Sequence, residues 1–435
     1  MSKPSVNIFW FRRDLRLDDN TGLNEALNSQ FPVLPVFVFD REILDDLNDK
    51  SDARLCFIHD TLSSINKDLD RKKTSIFSFY GTPKEAFQKL FKEFDIKEIY
   101  TNNDYEPYAT QRDNEVERLA AENAIEFKSF KDQVIFEKEE IVKDNGTPYL
   151  VYTPYSRKWL VSLTDQHLNS SGSALDQNNW YTNEQFQLIE LSQMGFERSD
   201  LKIPSKILKT ETLKTYEDER NTPAKDSTSR LGIHLRFGTI SIRAAVKHAR
   251  KHSEVFLKEL VWREFFMMIL YHFPKVVDSN FNSKYDNIKW RNTVEDFEKW
   301  KEGKTGFALV DAGMRQMNKT GFMHNRVRML VASFLTKHLL IDWRWGEAYF
   351  ASKLLDFELS SNNGNWQWAA GCGCDAAPYF RVFNPYTQQE KFDPNFEYIK
   401  KWVPELNTSQ YPEPIVEHKA ARQLAIDTYK VSLNQ

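Results

Sequence analysis

Val6-Asn7-Ile8-Phe9-Trp10-Phe11 and Val33-Leu34-Pro35-Val36-Phe37-Val38-Phe39 are two short, almost wholly apolar runs, and their reading decides the fold of the first part of the chain. Runs of this length without polar alternation suit strands covered on both faces, as in a parallel sheet. Residues 76–80 and 96–100 repeat the pattern. Between the runs lie longer, charge-studded segments, 53–69 and 83–94, that suit amphipathic helices. Residues 106–122, followed by Ile125 and Phe127, add one more helix and strand. Strands alternating with helices predict a parallel α/β domain over residues 1–130.

Past residue 130 the periodicity fades. Asp144-Asn145-Gly146-Thr147-Pro148 is a turn cluster, and residues 169–179 are rich in Ser, Asn and Gly. Residues 131–205 read as an inter-domain linker with one short helix around 155–163. From 206 to 435 the pattern is helical, with apolar residues at three- and four-residue spacing over 255–270 and 326–340. Eight of the 11 Trp lie in this part, at 262, 290, 300, 343, 345, 366, 368 and 402. The whole chain of 435 residues is 41% hydrophobic and 28% charged, the balance of a folded soluble protein. No apolar run approaches about 18 residues, so no membrane span is expected. Three cysteines, Cys56, Cys372 and Cys374, exclude a disulfide framework and a four-cysteine metal site. The N-terminus lacks a basic stretch leading into a long apolar one, so a cytoplasmic, reduced protein is expected.

Several familiar signals fail. Gly303-Lys304-Thr305 ends like a phosphate loop, but the required first glycine is Glu298. His248 and His252 are four apart in a basic helix and read as a solvated face, so no metal site is expected. Three clusters remain. Residues 12–20 (RRDLRLDDN) follow a strand directly and read as a salt-bridged loop that locks the domain to its neighbour. Glu259, Trp262 and Arg263 share a helix; Glu259 and Trp262 lie on one face, and Glu259 and Arg263 are spaced to pair. Residues 301–345 hold eight basic side chains against three acidic ones, +5 locally in a chain of net charge −3. With Trp300, Trp343, Trp345, Trp366 and Trp368 nearby, this composition suits phosphates and stacked bases; a Trp-rich core with a basic rim reads equally well. At 100° per residue Asn362 and Trp366 share a helix face, and Trp368 looks the opposite way.

Six separated blocks sharpen the reading: TSRL at 228–231, ELVWRE at 259–264, GKTGFALVD at 303–311, GFMHNRVRM at 321–329, NNGNWQW at 362–368 and DAAPYFRVFNP at 375–385. In this order they resemble the photolyase/cryptochrome family over nearly the whole chain, most of all the class I photolyases that split cyclobutane pyrimidine dimers. The resemblance implies a Rossmann-like α/β domain with a parallel sheet, followed by an all-helical domain that binds FAD. It implies light-driven repair by electron transfer from reduced FAD to a flipped-out dimer. The implied partner is UV-damaged DNA, met as a monomer with neither a membrane nor an obligate protein partner. A second, antenna chromophore of unassigned identity belongs to the same expectation, with residues 104–107 where such a cluster often lies.

Carried over residue by residue, Tyr216, Thr228, Ser229, Arg230 and Leu231 match the FAD-phosphate loop. Arg263, Arg328 and Asp356 match flavin contacts, and Asn362 the residue facing flavin N5. Glu259 matches the carboxylate that hydrogen-bonds the lesion. Trp262 and Trp368 match the pocket walls, and Asn325, Arg326 and Met329 the rest of its lining. Trp366, Trp343 and Trp290 match an electron relay, and Arg381 a DNA-phosphate contact. Phe256 and Phe322 depart from the Trp of bacterial relatives, and Glu358 from the usual Asp. The rival reading is a DASH-type or signalling cryptochrome. Plant cryptochromes tend to carry Asp at the positions of Asn325 and Asn362, and the DASH branch usually lacks Trp368 and Met329. A (6-4) photolyase is expected to carry His where this chain has Asn325.

Overall fold

A computed structural model of the chain describes residues 3–183 and 185–433. The chain forms two compact units. One comprises Met1–Glu140, Val161–Ile207 and Leu231–Lys251; the other comprises Ile141–Leu160, Leu208–Arg230 and His252–Gln435. The segment 131–205, set apart above as a linker, is thus divided between the units, and residues 231–251 join the first.

In the first unit β1 (Ser5–Phe11), β2 (Val33–Asp40), β3 (Phe77–Gly81), β4 (Asp95–Asn102) and β5 (Glu126–Phe130) form one parallel sheet in the order β3-β2-β1-β4-β5. Both faces are covered. Phe9, Phe11, Val33, Phe37 and Phe39 enter one core, and Val6, Ile8, Trp10, Leu34, Val36 and Val38 enter the other. A period of two with apolar residues on both sides is why these strands read as unbroken apolar runs. The crossovers expected at 53–69, 83–94 and 106–122 are helices Ala53–Leu69, Pro83–Glu93 and Pro107–Glu122. Thr82 and Glu85 close a capping box at the second of these.

The loop at 12–20 is ionic and buried. Arg16 and Arg243 both reach Asp132, at 2.7 and 2.9 Å, and Arg243 also holds Asp19 at 3.0 Å. Arg13 bridges Asp104 and Glu106 at 3.1 and 2.9 Å. Every one of these partners belongs to the first unit. Gly238 passes over this loop with φ of +63°; a Cβ there would meet the Arg13 carbonyl oxygen at 2.2 Å. Only glycine serves such a crossing.

Helices dominate the second unit. They include Glu254–His272, Asn325–Ser333, Trp343–Lys353, Leu359–Ala370, His418–Leu433 and all but the last two residues of Tyr152–Ser162. The helix expected over 326–340 runs from Asn325 to Ser333 and continues as a wide π-turn, Phe334–His338. Trp300, Phe307, Met314, Val331, Phe334, Trp343, Phe350 and Trp366 lie in its main core. Among the described residues no helix is long and apolar enough to cross a membrane.

Candidate functional site

The Asn325–Ser333 and Leu359–Ala370 helices border an open cavity. Seven residues singled out from the sequence line it: Asn325, Arg328, Met329, Asp356, Asn362, Trp366 and Trp368. Trp366 and Trp368 were expected on opposite helix faces, with only Trp366 looking into the site that holds Asn362. Both line this cavity; an indole is long enough to reach well past the angle of its own Cα.

The polar groups of the cavity are fixed in pairs. Arg328 holds Asp356 at 2.9 and 3.1 Å and donates through Nε to the Met323 carbonyl at 2.7 Å. Asn362 donates its amide N–H to the Glu347 carboxylate at 2.7 Å and to the Glu347 carbonyl at 3.1 Å. Both hydrogens of that amide are thereby engaged, and its Oδ1 is left as the acceptor. Burial pushes the Glu347 carboxyl up from its ordinary value, against the Asn362 hydrogen bond. Sequence reading missed Glu347, a single acid in Trp343–Lys353 that no spacing ties to Asn362.

Other expected pairings are rearranged. Glu259 does not pair with Arg263 four residues on. Glu259 meets Arg220 at 2.5 Å, and Arg263 meets Glu358, a cavity residue, at 3.1 Å. Guanidinium–carboxylate pairs between residues far apart in the sequence stand in place of the local one. Tyr216 lies 5.5 Å from the Arg220 guanidinium and edge-on to Phe256 at 5.1 Å. Arg326 donates to Asn221 at 2.5 and 3.2 Å and covers Phe392 at 4.6 Å. Arg381 is exposed, 5.4 Å from the Phe383 ring.

The Trp residues expected as a relay share one core. Trp366 packs edge-on against Phe350 at 5.0 Å and Trp300 at 6.2 Å. Trp343 is buried and donates its indole N–H to Asn280 at 2.8 Å. Trp290 is half-buried and meets Tyr429 edge-on at 6.0 Å.

Near this cavity lies a group of donors suited to an anion. Arg230 and Arg328 flank the Phe322 ring at 4.6 and 5.7 Å. His324 caps the Asn325–Ser333 helix by accepting the Arg326 N–H on Nδ1, at 3.2 Å. Its proton therefore sits on Nε2. Burial, with Arg328, Arg326 and Arg230 adding to it, pushes this histidine down to about 4. The neutral ring leaves a buried Nε2–H with no partner among the described residues, and Arg230 Nε is likewise buried and unmatched. Buried donors are rarely left so, and these await an acceptor. Thr228 and Ser229 lead into Arg230, and Leu231 immediately precedes the short Gly232–Arg236 helix. Unmatched donors, guanidiniums, hydroxyls, an amide acceptor and aromatic walls together fit an anionic dinucleotide with a flat ring system.

Comparison with known proteins agrees with this chemistry. Residues 7–171 match the DNA photolyase model, and residues 256–410 match the FAD binding domain of DNA photolyase. The deoxyribodipyrimidine photo-lyase of Vibrio cholerae is 34% identical over 98% of this chain and 100% of its own length. A bacterial class III photolyase structure from Agrobacterium tumefaciens superposes with a TM-score of 0.88 at 32% identity, covering 100% of this chain and 99% of its own. An archaeal photolyase from Sulfolobus tokodaii, solved with two FAD molecules, gives 0.84 at 36% identity, covering 98% and 100%. The chain belongs to the DNA photolyase family, with an α/β N-terminal domain and a mostly helical C-terminal FAD-binding domain.

Proposed function

We propose that this protein repairs cyclobutane pyrimidine dimers in DNA under blue or near-UV light. The observation that carries the reading is the cavity itself. Asn362, Trp366, Trp368, Asn325 and Met329 line one space, and the Arg263–Glu358 pair links that space to the helix of Glu259 and Trp262.

FAD, when bound, supplies light absorption and a one-electron donor. The chain supplies position and charge. Arg230, Arg328, His324 Nε2–H, Thr228 and Ser229 hold the dinucleotide's anionic part. Asn362, locked by Glu347, presents its amide oxygen, and the Arg328–Asp356 pair keeps a fixed charge pattern beside it. Trp262 and Trp368 provide flat apolar faces for two bases held at an angle by a cyclobutane ring, a lesion that stacks poorly and is cheap to flip. Glu259, oriented by Arg220, offers carboxylate oxygens to a base edge. Trp366, Trp343 and Trp290 pass electrons inward from the surface. Arg381 and Arg326 meet the DNA strand. Repair of a (6-4) photoproduct calls for an acid–base histidine, and Asn325 has no titratable group. His324, its neighbour, is buried and occupied as a helix cap.

By its motifs the chain resembles class I, while one similar structure is of class III. A second chromophore belongs to the proposal by likeness to the Sulfolobus tokodaii structure with two FAD molecules. The test is illumination of photoreduced protein with duplex oligonucleotides carrying one lesion each, beside absorption spectra of the released chromophores. Restoration of the cyclobutane dimer alone is expected. Restoration of only the (6-4) lesion, or of neither under strong blue light with reduced flavin, overturns the reading.

A further inference from the structure

Trp262, the proposed lesion wall, is not a bare wall. The Tyr152 ring lies flat on its indole, with centroids 3.6 Å apart and planes 6° from parallel. Aromatic pairs left to themselves prefer offset or edge-on packing to a face-to-face sandwich, so this arrangement is held from outside the pair. The Tyr152 O–H donates to the Lys258 carbonyl at 2.8 Å, one turn before Trp262 on the same helix. Burial pushes this phenol up to about 12, so the hydroxyl keeps its proton and stays a donor. The Tyr152 backbone N–H opens the Tyr152–Ser162 helix, where no intrahelical acceptor exists, and donates to Asp375 Oδ2 at 3.0 Å. Phe265 closes edge-on against both rings, at 5.9 Å from Tyr152 and 5.6 Å from Trp262.

We infer that Tyr152 is a positioning residue of the lesion pocket: its ring fixes the plane of Trp262, and its backbone ties that plane through Asp375 to the 375–385 segment carrying Arg381. The inference rests on the proposed reading of Trp262 as a lesion wall. A dimer differs from two normal bases chiefly in the angle between its rings. A wall free to tilt would still offer apolar area but would lose discrimination, while contacts to the DNA backbone would be indifferent to the change.

The test uses the full-length, flavin-loaded protein and compares its affinity for a duplex with one cyclobutane dimer and for the same duplex undamaged. Tyr152→Ala is expected to lower the ratio of the two affinities about 3- to 10-fold, the worth of one aromatic pair. Flavin content and affinity for undamaged DNA should stay at wild-type level. Tyr152→Leu, which fills the space without a flat ring, should show the same loss and guards against a collapsed Ala variant. Tyr152→Phe keeps the plane and should retain most of the ratio. The double variant of Tyr152→Ala with Trp262→Ala should be no worse than Trp262→Ala alone. A wild-type ratio in the Ala and Leu variants, with loss in Trp262→Ala, overturns the role of Tyr152 and leaves the wall standing. A Phe variant as defective as the Ala variant overturns the stacking argument. A wild-type ratio in Trp262→Ala as well overturns the wall and this inference together.

Discussion

Asn362 illustrates what a single residue owes to its surroundings. Its place in the block NNGNWQW drew attention to it, yet a free amide could rotate and present either end. Glu347 removes that freedom by accepting from the amide nitrogen at 2.7 Å. Glu347→Ala should therefore weaken flavin retention about fivefold, the worth of roughly 1 kcal/mol per hydrogen bond, read by flavin release on dilution. Glu347→Gln keeps an acceptor oxygen and should remain near wild type, since burial already pushes this carboxyl toward its neutral form. Local spacing also had a limit at Glu259 and Arg263. Four residues apart, they were expected to pair, but Arg220 and Glu358 come from elsewhere in the chain and take one partner each. Spacing along a helix ranks the neighbours available within it, and it is blind to stronger partners brought in by the fold.

At the scale of elements, the Trp343–Lys353 and Leu359–Ala370 helices approach closely because Gly346 has no side chain. A Cβ there would lie 2.1 Å from the Trp366 ring and 2.5 Å from Leu335. Gly346→Ala should cost about 1–3 kcal/mol by overpacking, measured by urea unfolding, and should displace Trp366. Trp366→Phe tests the proposed relay more gently. Light-driven reduction of the oxidised flavin should slow strongly, while repair by chemically reduced protein should largely survive. Normal photoreduction in that variant would remove Trp366 from the relay. The π-turn at Phe334–His338 is a further element the periodicity did not foresee. A helical pattern of apolar residues continues through it, and periodicity does not distinguish a single wide turn from the α-helix around it.

For the molecule as a whole, charge is distributed unevenly: net −3 overall, with a +5 stretch at 301–345. Replacing exposed Arg381 by Ala should weaken binding to damaged and undamaged DNA alike and reduce the salt slope by about 1. An unchanged slope in a salt titration would make the basic rim a solvated face. Lys337 bears on stability. It is buried, donates to the Ala370 carbonyl at 2.8 Å and lies 3.5 Å from the Tyr429 ring centroid, and burial pushes it down to about 7. Between that value and about 10.4 the unfolded chain binds more protons than the folded one, so stability rises with pH across this window, by at most about 1.4 kcal/mol per pH unit. Below pH 7 the contribution is flat. Lys337→Met should remove that slope in denaturant titrations run from pH 7 to pH 9.

The sequence by itself determined the parallel α/β unit, because strands buried on both faces must be apolar at every position, and that pattern is local. It also determined the family, since six motif blocks stand in order, and six residues singled out from two of those blocks meet in one cavity. The tertiary structure alone decided that residues 231–251 join the first unit, that Arg16 and Arg243 share Asp132, that Glu347 locks Asn362 and that Tyr152 lies on Trp262. Each of these joins residues far apart in the chain. A charge, an amide or a ring carries no record of which distant partner will reach it, and only the packed backbone brings the two within contact distance.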